Sequence, residues 1–377
     1  MTINILFVCA TLEPGKCGVA DYILSLASIL CSKGYSCACL AIHDKYYTSS
    51  LPGIANSGIE GTLSVFRISS GCPWFSKAKL INEYLDTLNP DCISLQYVPY
   101  AYDQKGLPFA FLKCLKSVHS KAKWEITAHE LWVDPNTNLR HRILSKLQRL
   151  IFQRLCLELD PVVVHVTNFW YQLQLRGISI NSQVLPLLSN IPFFPLSLPS
   201  TKSDSVWRFV FFGSINREWD PEPLFRQIEV ARRHYNIKYC HFISIGRIGS
   251  YGASLWDSLQ SSPYPEFKYI RLGALSVESV SEQLQLADFG ISVVPDVLIE
   301  KSSSVAAMIA HGLPVIISRL SSGCDYWHNE LRRRGNFVLL DSSFVQNLGS
   351  SSKYIPINHV DATASRFLDA LQLTHSG

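Results

Sequence analysis

The feature that most constrains the fold is a repeated alternation of short apolar runs with longer amphipathic stretches. The amphipathic stretches predict helices, the clearest at residues 19–33, 223–234, 277–286, 304–311 and 361–373. Strands that are apolar along their whole length are buried on both faces, as in parallel sheets covered by helices. The chain is therefore predicted to be an α/β protein. The predicted strands lie at residues 3–9, 36–42, 91–96, 124–128, 162–167, 208–212, 239–245, 269–272, 289–294 and 314–318.

The alternation is interrupted once, by residues 190–205, which contain three prolines and four serines. Proline disfavours helix and removes a backbone donor from a sheet, so this segment predicts a connection between domains. The length of 377 residues also suits two domains. We therefore expect a first domain at 1–195, a linker at 196–206, a second domain at 207–355, and a last helix within 356–377 that returns to the first domain.

Composition excludes several classes of protein. Hydrophobic residues make up 47% and charged residues 17%, which excludes a disordered chain, and a net charge of +4 is too small to indicate nucleic acid as a partner. The eleven cysteines are dispersed without a C-x-x-C pair, which predicts reduced core cysteines of a cytoplasmic protein and no zinc site. The start, MTINILFVC, has no basic region, and no apolar run reaches the length of a membrane span, so neither a signal peptide nor a span is expected.

Five motifs occur in an order that resembles a known enzyme family. They are GKCGVADYILSLASILCSKGYS at 15–36, ITAHELW at 126–132, LPLLSNIP at 185–192, FVFFGSI at 209–215, and the segment 273–316, which ends in AAMIAHGLPVI. Together they resemble GT-B glycosyltransferases, close to the family 4 type of retaining, nucleotide-sugar-dependent enzymes. The resemblance covers about three quarters of the chain.

The resemblance implies a GT-B fold, in which two Rossmann-like domains with parallel sheets face each other across a cleft. It implies transfer of a sugar from a nucleotide-diphosphate donor to a hydroxyl acceptor, with retention of the anomeric configuration. No pair of aspartates has the D-x-D spacing of a metal-bound diphosphate, so a reaction without metal is expected. We expect no cofactor other than the nucleotide sugar, which is a substrate.

Donor binding is predicted at the turn that opens the helix before His311. Charge that develops on a leaving diphosphate is stabilised by cations and by the N–H groups of a helix N-terminus. The sequence KSSS at 301–304 combines a lysine with serines suited to capping. Lys301, Ser303, Ser304 and the N–H of Val305 are therefore predicted donor-binding groups.

A second source of donor contacts is predicted in the loops that follow the strands of the second domain. The family places an Arg and a Lys after the strand that ends at Gly213, and here Ser214 and Trp219 stand in those places. Arg217 and Arg247 are the predicted replacements. Base contacts are expected from backbone around Leu275. The predicted donor-binding residues of these loops are thus Gly213, Arg217, Arg247 and Leu275.

The resemblance also points to two catalytic positions. The family's paired glutamates fall at Ile299 and Ala307 in this chain, so Glu300, one residue out of register, is the predicted substitute that accepts hydrogen bonds from sugar hydroxyls. His129, at a predicted strand end, corresponds to a histidine that faces the donor sugar and, when neutral, donates or accepts a hydrogen bond.

In the first motif, Gly18 is predicted to allow the donor close approach to the backbone. Asp21 is predicted either to bind the acceptor or to cap the helix that begins nearby; capping is the more common role of such a residue. The acceptor itself, whether a saccharide, a lipid-linked sugar or a small molecule, is not specified by any motif.

Two other functions are compatible with parts of the sequence. Gly246, Gly249 and Gly252 follow a predicted strand, but their G-x-x-G-x-x-G spacing differs from the G-x-G-x-x-G of dinucleotide-binding oxidoreductases. A sugar-nucleotide epimerase of the same fold, or a protein that binds a nucleotide sugar without catalysis, fits the altered cation loop and the incomplete glutamate pair.

Residues 138–156 predict a basic amphipathic helix. Apolar Ile143, Leu144, Leu147, Leu150, Ile151 and Leu155 recur at helical spacing, and Arg140, Arg142, Lys146, Arg149 and Arg154 lie mostly off that stripe. The pattern is typical of a helix packed on the sheet with a solvated basic face, which we favour, and also of a helix on a membrane surface. With a lipid-linked acceptor, peripheral contact with the inner membrane surface would follow.

Overall fold

The computed structural model of the protein forms two compact units. The first comprises Met1–Pro186 with Val360–Gly377, and the second Leu187–His359. The structure describes residues 3–13, 16–48, 53–56, 63–135, 138–189, 191–196, 205–355 and 359–372.

The strands form one sheet in each unit. The first sheet has the order β3-β4-β2-β1-β5-β6-β7-β8, parallel except that β3 runs antiparallel to β4, and the second has the parallel order β11-β10-β9-β12-β13-β14. The strands are β1 (Asn4–Cys9), β2 (Ser36–Asp44), β3 (Gly53–Asn56), β4 (Ser64–Ser69), β5 (Cys92–Tyr97), β6 (Lys123–Ala128), β7 (Val163–Val166), β8 (Gln183–Val184), β9 (Val206–Phe212), β10 (Tyr239–Ile245), β11 (Phe267–Gly273), β12 (Phe289–Ser292), β13 (Val315–Ile317) and β14 (Phe337–Leu339).

Helices connect most of these strands. A 3₁₀ helix, Asp296–Lys301, precedes α10. The α-helices are α1 (Gly18–Ser32), α2 (Trp74–Leu88), α3 (Pro99–Tyr102), α4 (Phe109–Leu115), α5 (Leu139–Leu159), α6 (Phe169–Arg176), α7 (Glu222–His234), α8 (Gly249–Leu259), α9 (Val277–Leu286), α10 (Ser303–Ala310), α11 (Asp325–Arg334), α12 (Phe344–Ser350) and α13 (His359–Leu371).

The chain returns to the first unit at its last helix, α13. Phe367 of this helix stacks on Phe7 of β1 with ring centroids 6.0 Å apart, and both rings are buried. Lys33 forms an ion pair with Asp361 at 3.2 Å. The second unit is thus inserted in sequence between β8 and α13 of the first.

Strand order places a switch point in each sheet. In the first unit the chain builds outward from β1 to β2 and β4 and then crosses back to β5, so the reversal lies between β1 and β5. In the second unit the reversal lies between β9 and β12. Ligands of doubly wound folds bind outside the carboxyl ends of the strands at such a point.

The prediction of two α/β domains with parallel sheets is confirmed. The antiparallel strand β3 was not predicted, because a four-residue edge strand has too short an apolar pattern to stand out. Residues 191–196 lie with the second unit, where the Phe194 N–H donates to Ser281 Oγ (3.0 Å) and Gln285 Nε2 donates to Phe194 O (2.7 Å). Among the described residues, no helix combines the length and the hydropathy that crossing a membrane requires.

Candidate functional site

A small pocket, open to solvent, lies at the switch point of the second unit. It is bounded by the carboxyl ends of β9 and β12, by the loop after β9 and by the start of α10. Hydroxyl groups and small residues dominate its polar lining. The lining residues are Phe211, Phe212, Gly213, Ser214, Ile215, Ile291, Ser292, Val293, Val294, Ser302 and Ser304.

The start of α10 supplies donors to this pocket. Ser302 is the N-cap residue, and its Oγ accepts from the Val305 N–H at 3.4 Å and lies 3.0 Å from Ser304 Oγ. The first N–H groups of an α-helix have no intrahelical acceptor, which leaves those of Ser303 and Ser304 directed out of the helix end. The predicted turn therefore forms, although Ser302 rather than Ser303 or Ser304 is its cap.

A buried network holds the segment that leads into this turn. Asp296, at the start of the 3₁₀ helix, is buried and accepts from Ser321 Oγ (2.5 Å) and the Ser321 N–H (3.0 Å). Its other carboxylate oxygen lies 2.7 Å from His328 Nε2, and Trp327 Nε1 donates to its carbonyl. The turn is thus supported by α11 as well as by its own helix.

Two glycines shape the pocket. Gly213 follows β9 with φ of +89°, a conformation that L side chains rarely adopt, and its N–H donates to Ile245 O at 3.0 Å. A Cβ at Gly290, in β12, would lie 2.4 Å from the sulfur of Met308 in α10. Gly290 therefore lets α10 pack directly on β12, which brings the helix N-terminus to the strand ends.

The predicted cations occupy different positions around this edge. Lys301 ends the 3₁₀ helix and is half-buried, whereas Arg217 and Arg247 are exposed on the loops after β9 and β10. Ser214 Oγ donates to Arg247 O at 3.4 Å, so the structure brings these two loops together. Trp219, in the place of the family's second cation, is buried, and its Nε1 donates to Ser318 Oγ (2.9 Å).

Sequence reasoning missed Arg319, which follows β13. Its Nη2 donates to Glu218 at 2.9 Å, and its buried Nη1 has no hydrogen-bond partner among the described residues. The preceding Ser318 donates to the carbonyl of Ser292, which lines the pocket. Arg319 therefore follows the strand next to the pocket-lining β12, and only the pairing of β13 with β12 relates it to this region.

Glu300 and Leu275 lie outside the lining just described. Glu300 Oε1 accepts from Arg334 Nη1 at 2.7 Å, so its carboxylate already has a charged partner. Leu275 follows β11 and is half-buried. Of the predicted donor-binding residues, the structure brings Gly213 and Ser304 to the pocket and sets Lys301, Ser303 and Val305 beside it in the same turn.

In the first unit, His129 follows β6 and belongs to a buried hydrogen-bonded chain. Its Nε2 lies 2.8 Å from Gln96 Oε1, and Gln96 Nε2 donates to Ser94 Oγ at 2.7 Å. Ser94 donates to Glu125, which also accepts from Thr127 Oγ1 (2.6 Å) and lies 2.9 Å from His165 Nδ1. His129 is 7% exposed, and the members of the chain beyond it are at most 1% exposed.

The proton count of this chain places a proton on Nε2 of His129. Ser94 has one hydroxyl proton and gives it to Glu125, so it must accept from Gln96. The Gln96 amide then turns its oxygen to His129, which donates from Nε2. Only the long-range contacts between β5, β6 and β7 reveal that Gln96, Glu125 and His165 act on His129.

The other two predicted residues of the first unit lie at the start of α1. Gly18 is the first residue of α1, and a Cβ built there meets no described atom within 4 Å. Packing therefore does not require glycine at this position. Asp21 lies inside the first turn, after the N-cap residue Cys17, so it does not cap the helix. Its negative charge is still favourable near the positive end of the helix dipole.

Among the described residues, no group of three or more His, Cys, Asp or Glu side chains is arranged to hold a metal ion. No protein-family model matches the chain, and no curated protein matches it.

Solved structures of low similarity cover nearly the whole chain. The catalytic domain of starch synthase IV from Arabidopsis thaliana, bound to ADP and acarbose, has a TM-score of 0.47 and 11% identity over 99% of each chain. An α-glucosyltransferase bound to UDP and mismatched DNA has a TM-score of 0.49 and 11% identity over 97% of this chain and 92% of that one. α,α-Trehalose 6-phosphate synthase from Burkholderia multivorans has a TM-score of 0.48 and 7% identity over 99% and 95%.

Proposed function

We propose that the chain is a GT-B glycosyltransferase that transfers a sugar from a nucleotide-diphosphate donor to a hydroxyl acceptor. One observation carries the proposal: the second unit has an open pocket at its switch point, and the N-terminus of α10 forms one of its walls. This combination of free N–H groups, helix dipole and hydroxyls suits a diphosphate. The order of the family 4 motifs in the sequence points to the same donor.

In this proposal the turn before α10 stabilises the leaving diphosphate. Ser302 and Ser304 are bonded to each other through their hydroxyls, which leaves one hydroxyl proton of the pair to donate to a phosphate oxygen, and Lys301 adds positive charge beside them. Because charge on the diphosphate grows as the glycosidic bond breaks, these groups bind the transition state more strongly than the ground state. Arg217, Arg247 and Arg319 are the candidate further cations.

We further propose that the reaction retains anomeric configuration and uses no metal, as in the enzymes that the sequence resembles. The departing phosphate oxygen takes the proton of the acceptor hydroxyl, so no strong protein base is needed. His129, whose ring is oriented by Gln96, is a candidate contact for a hydroxyl of the donor sugar, as in the enzymes that the sequence resembles. Asp21 is a candidate acceptor contact.

The first experiment is a thermal-shift screen of nucleoside diphosphates and their sugars, including UDP and ADP. The best donor is then tested for hydrolysis and for transfer to hydroxyl acceptors. Lys301→Ala and Arg217→Ala should each weaken binding of the diphosphate and lower turnover about tenfold, the loss of one charge-assisted contact. Arg226→Ala, an exposed arginine on α7, is the matched control. Unchanged binding in both site variants would exclude this turn as the diphosphate site.

A second candidate function is binding of a nucleotide sugar without transfer, or its epimerisation. The ion pair between Glu300 and Arg334 favours this second function. In the enzymes that the sequence resembles, the corresponding glutamate accepts hydrogen bonds from sugar hydroxyls, whereas the Glu300 carboxylate is paired with an arginine. Tight binding of a nucleotide sugar with no transfer to any acceptor would support this alternative. Conversion of the bound sugar to its epimer would identify the epimerase.

A further inference from the structure

Helix α5 buries one face and leaves a second apolar face exposed. Ile151, Phe152, Leu155 and Leu159 are buried against the first unit. Leu139, Ile143, Leu150 and Leu157 are 70%, 55%, 47% and 72% exposed. The sequence pattern had placed Ile143 and Leu150 on the packed stripe with Ile151 and Leu155, and this part of the prediction is wrong.

The four exposed residues form a single stripe. At 100° per residue, Leu139, Ile143, Leu150 and Leu157 lie within about 40° of one another around the helix axis. Between the first and the last, α5 rises about 27 Å. Large apolar side chains that are scattered singly on a surface are ordinary, but a straight row along one helix is an interaction surface.

Basic side chains flank this stripe. Arg140, Arg142, Lys146 and Arg154 are exposed along the same helix, whereas its one exposed acid, Glu158, is paired with Lys116 at 2.6 Å. A row of leucine and isoleucine flanked by arginine and lysine matches a partner with an apolar interior and a negatively charged surface layer.

We propose that this stripe, Leu139, Ile143, Leu150 and Leu157 with its flanking bases, docks the protein on an anionic phospholipid membrane. Helix α5 lies parallel to the bilayer surface, its apolar row enters the headgroup region, and its bases contact lipid phosphates. Each exposed base contributes about fivefold to the membrane affinity at low ionic strength.

Contacts within the first unit hold the helix ready for this role. Asn138 Oδ1 accepts from the His141 N–H at 2.9 Å and caps the helix. Gln148 accepts from the Val133 N–H (2.9 Å) and donates to Gly106 O (3.0 Å). Because the helix is already folded and anchored, docking requires no folding step on the lipid.

Charge argues against a second copy of the chain as the occupant. Two α5 helices that meet along this stripe would bring four exposed bases of each copy together with only one exposed acid, Glu158, on each side. Like charges that flank a helix pair destabilise it, whereas anionic lipid neutralises them.

The surface also lies on the unit that carries His129. Helix α5 follows β6, so its N-terminus starts from the carboxyl edge of the sheet at which His129 lies. If the proposed transferase function holds, this placement favours a lipid-linked acceptor. Membrane docking itself does not depend on catalysis.

The test is flotation of the full chain with vesicles of phosphatidylcholine containing phosphatidylglycerol, beside vesicles of phosphatidylcholine alone. We expect binding to the anionic vesicles at low ionic strength, weakened by salt. The variant Ile143→Gln/Leu150→Gln/Leu157→Gln should bind at least about tenfold more weakly, because its row no longer enters the bilayer. Arg142→Gln/Lys146→Gln/Arg154→Gln should lose the preference for anionic lipid.

Val230→Gln is the matched control, because Val230 is equally apolar and 50% exposed on α7, and its flotation should equal that of the wild type. Thermal unfolding checks that each variant folds. No flotation of the wild type, or equal flotation of the apolar-row variant, would overturn the proposal. A dimer in sedimentation that this variant abolishes would assign the stripe to a second copy instead. Donor binding, measured on the same proteins, reports on the transferase proposal separately.

Discussion

The sheets of the two units carry different chemistry. In the first unit, charged and polar side chains of β5, β6 and β7 form a buried network with Glu125 at its centre. At the switch point of the second unit, Gly213, Ser214, Ser292 and Ser304 leave a pocket open. The network of the first unit holds its side chains in fixed orientations. The pocket of the second unit offers backbone and hydroxyl donors to a ligand.

A second cluster extends this contrast along the first sheet. Lys77 is buried at the end of β2, where its Nζ donates to Ile42 O at 2.7 Å and lies 2.9 Å from His43 Nδ1. Burial lowers the pKa of Lys77 to about 8, and burial together with Lys77 lowers the pKa of His43 to about 4. In the first unit, the protonation of Lys77 and His43 is therefore coupled to the free energy of unfolding.

The largest effect is expected from Glu125→Gln. The amide accepts at only one end, so one of the donors around residue 125 loses its buried acceptor, and the free energy of unfolding should fall by about 3 to 5 kcal/mol. Urea unfolding measures the change. Glu158→Gln, which breaks an exposed ion pair, should cost less than about 1 kcal/mol. A loss from Glu125→Gln as small as that of the control would contradict the network.

Lys77→Met should change the pH dependence of stability. The folded pKa of about 8 lies below the ordinary lysine pKa of 10.5, so between these values the unfolded chain binds more protons and stability rises with pH. Across that window, wild type should gain about 3 kcal/mol relative to Lys77→Met. Urea unfolding at several pH values tests this.

The matched control for this slope is Lys79→Met on the same helix. Lys79 is 81% exposed and pairs with Glu83, so its removal should leave the pH dependence unchanged. Parallel curves for wild type and Lys77→Met would show that Lys77 keeps its ordinary pKa.

The variant Ser304→Asp tests the pocket of the second unit. A carboxylate at the start of α10 would repel the proposed diphosphate and weaken its binding on the order of 100-fold. Ser279→Asp places the same charge in the first turn of α9, another helix with a serine N-cap, and this variant should bind the nucleoside diphosphate as tightly as the wild type. Calorimetry with the nucleoside diphosphate that gives the greatest thermal shift measures both. Equal affinities would remove the diphosphate from this pocket.

The smallest effect is expected from Arg319→Ala. Arg319 is a candidate cation for the diphosphate, and its loss should weaken nucleoside diphosphate binding about tenfold. Arg332→Ala, which breaks a pair with Asp341 away from the pocket lining, serves as control. Retained affinity in Arg319→Ala would show that the guanidinium supports only Glu218 and the loop after β9.

Features that depend on local sequence could be predicted, and those that depend on long-range contacts could not. Apolar runs such as that of β9 indicate buried parallel strands, and a cluster of serines before an apolar stretch indicates the start of α10. Gly290 gains its meaning only from Met308, which packs on it from another element. Arg319 follows a strand beside the pocket only because β13 pairs with β12.

The helix α5 shows the same limit in a different form. Helical periodicity correctly placed apolar and basic residues on a helix, but it did not decide which apolar residues meet the sheet. Burial of Ile151 and exposure of Leu150, its neighbour in sequence, depend on the rotation of the helix against the first unit. The roles proposed for His129, Glu300 and the donor-binding residues stay predictions until binding is measured.

The return of α13 to the first unit has a consequence for synthesis on the ribosome. Phe7 is synthesised before the second unit, but its stacking partner, Phe367, is made only after the whole of that unit. Until then the first sheet lacks the helix that covers this ring. The nascent first unit therefore stays without α13 while the inserted unit is translated and folds. During this interval its exposed apolar surface makes it a target for chaperones.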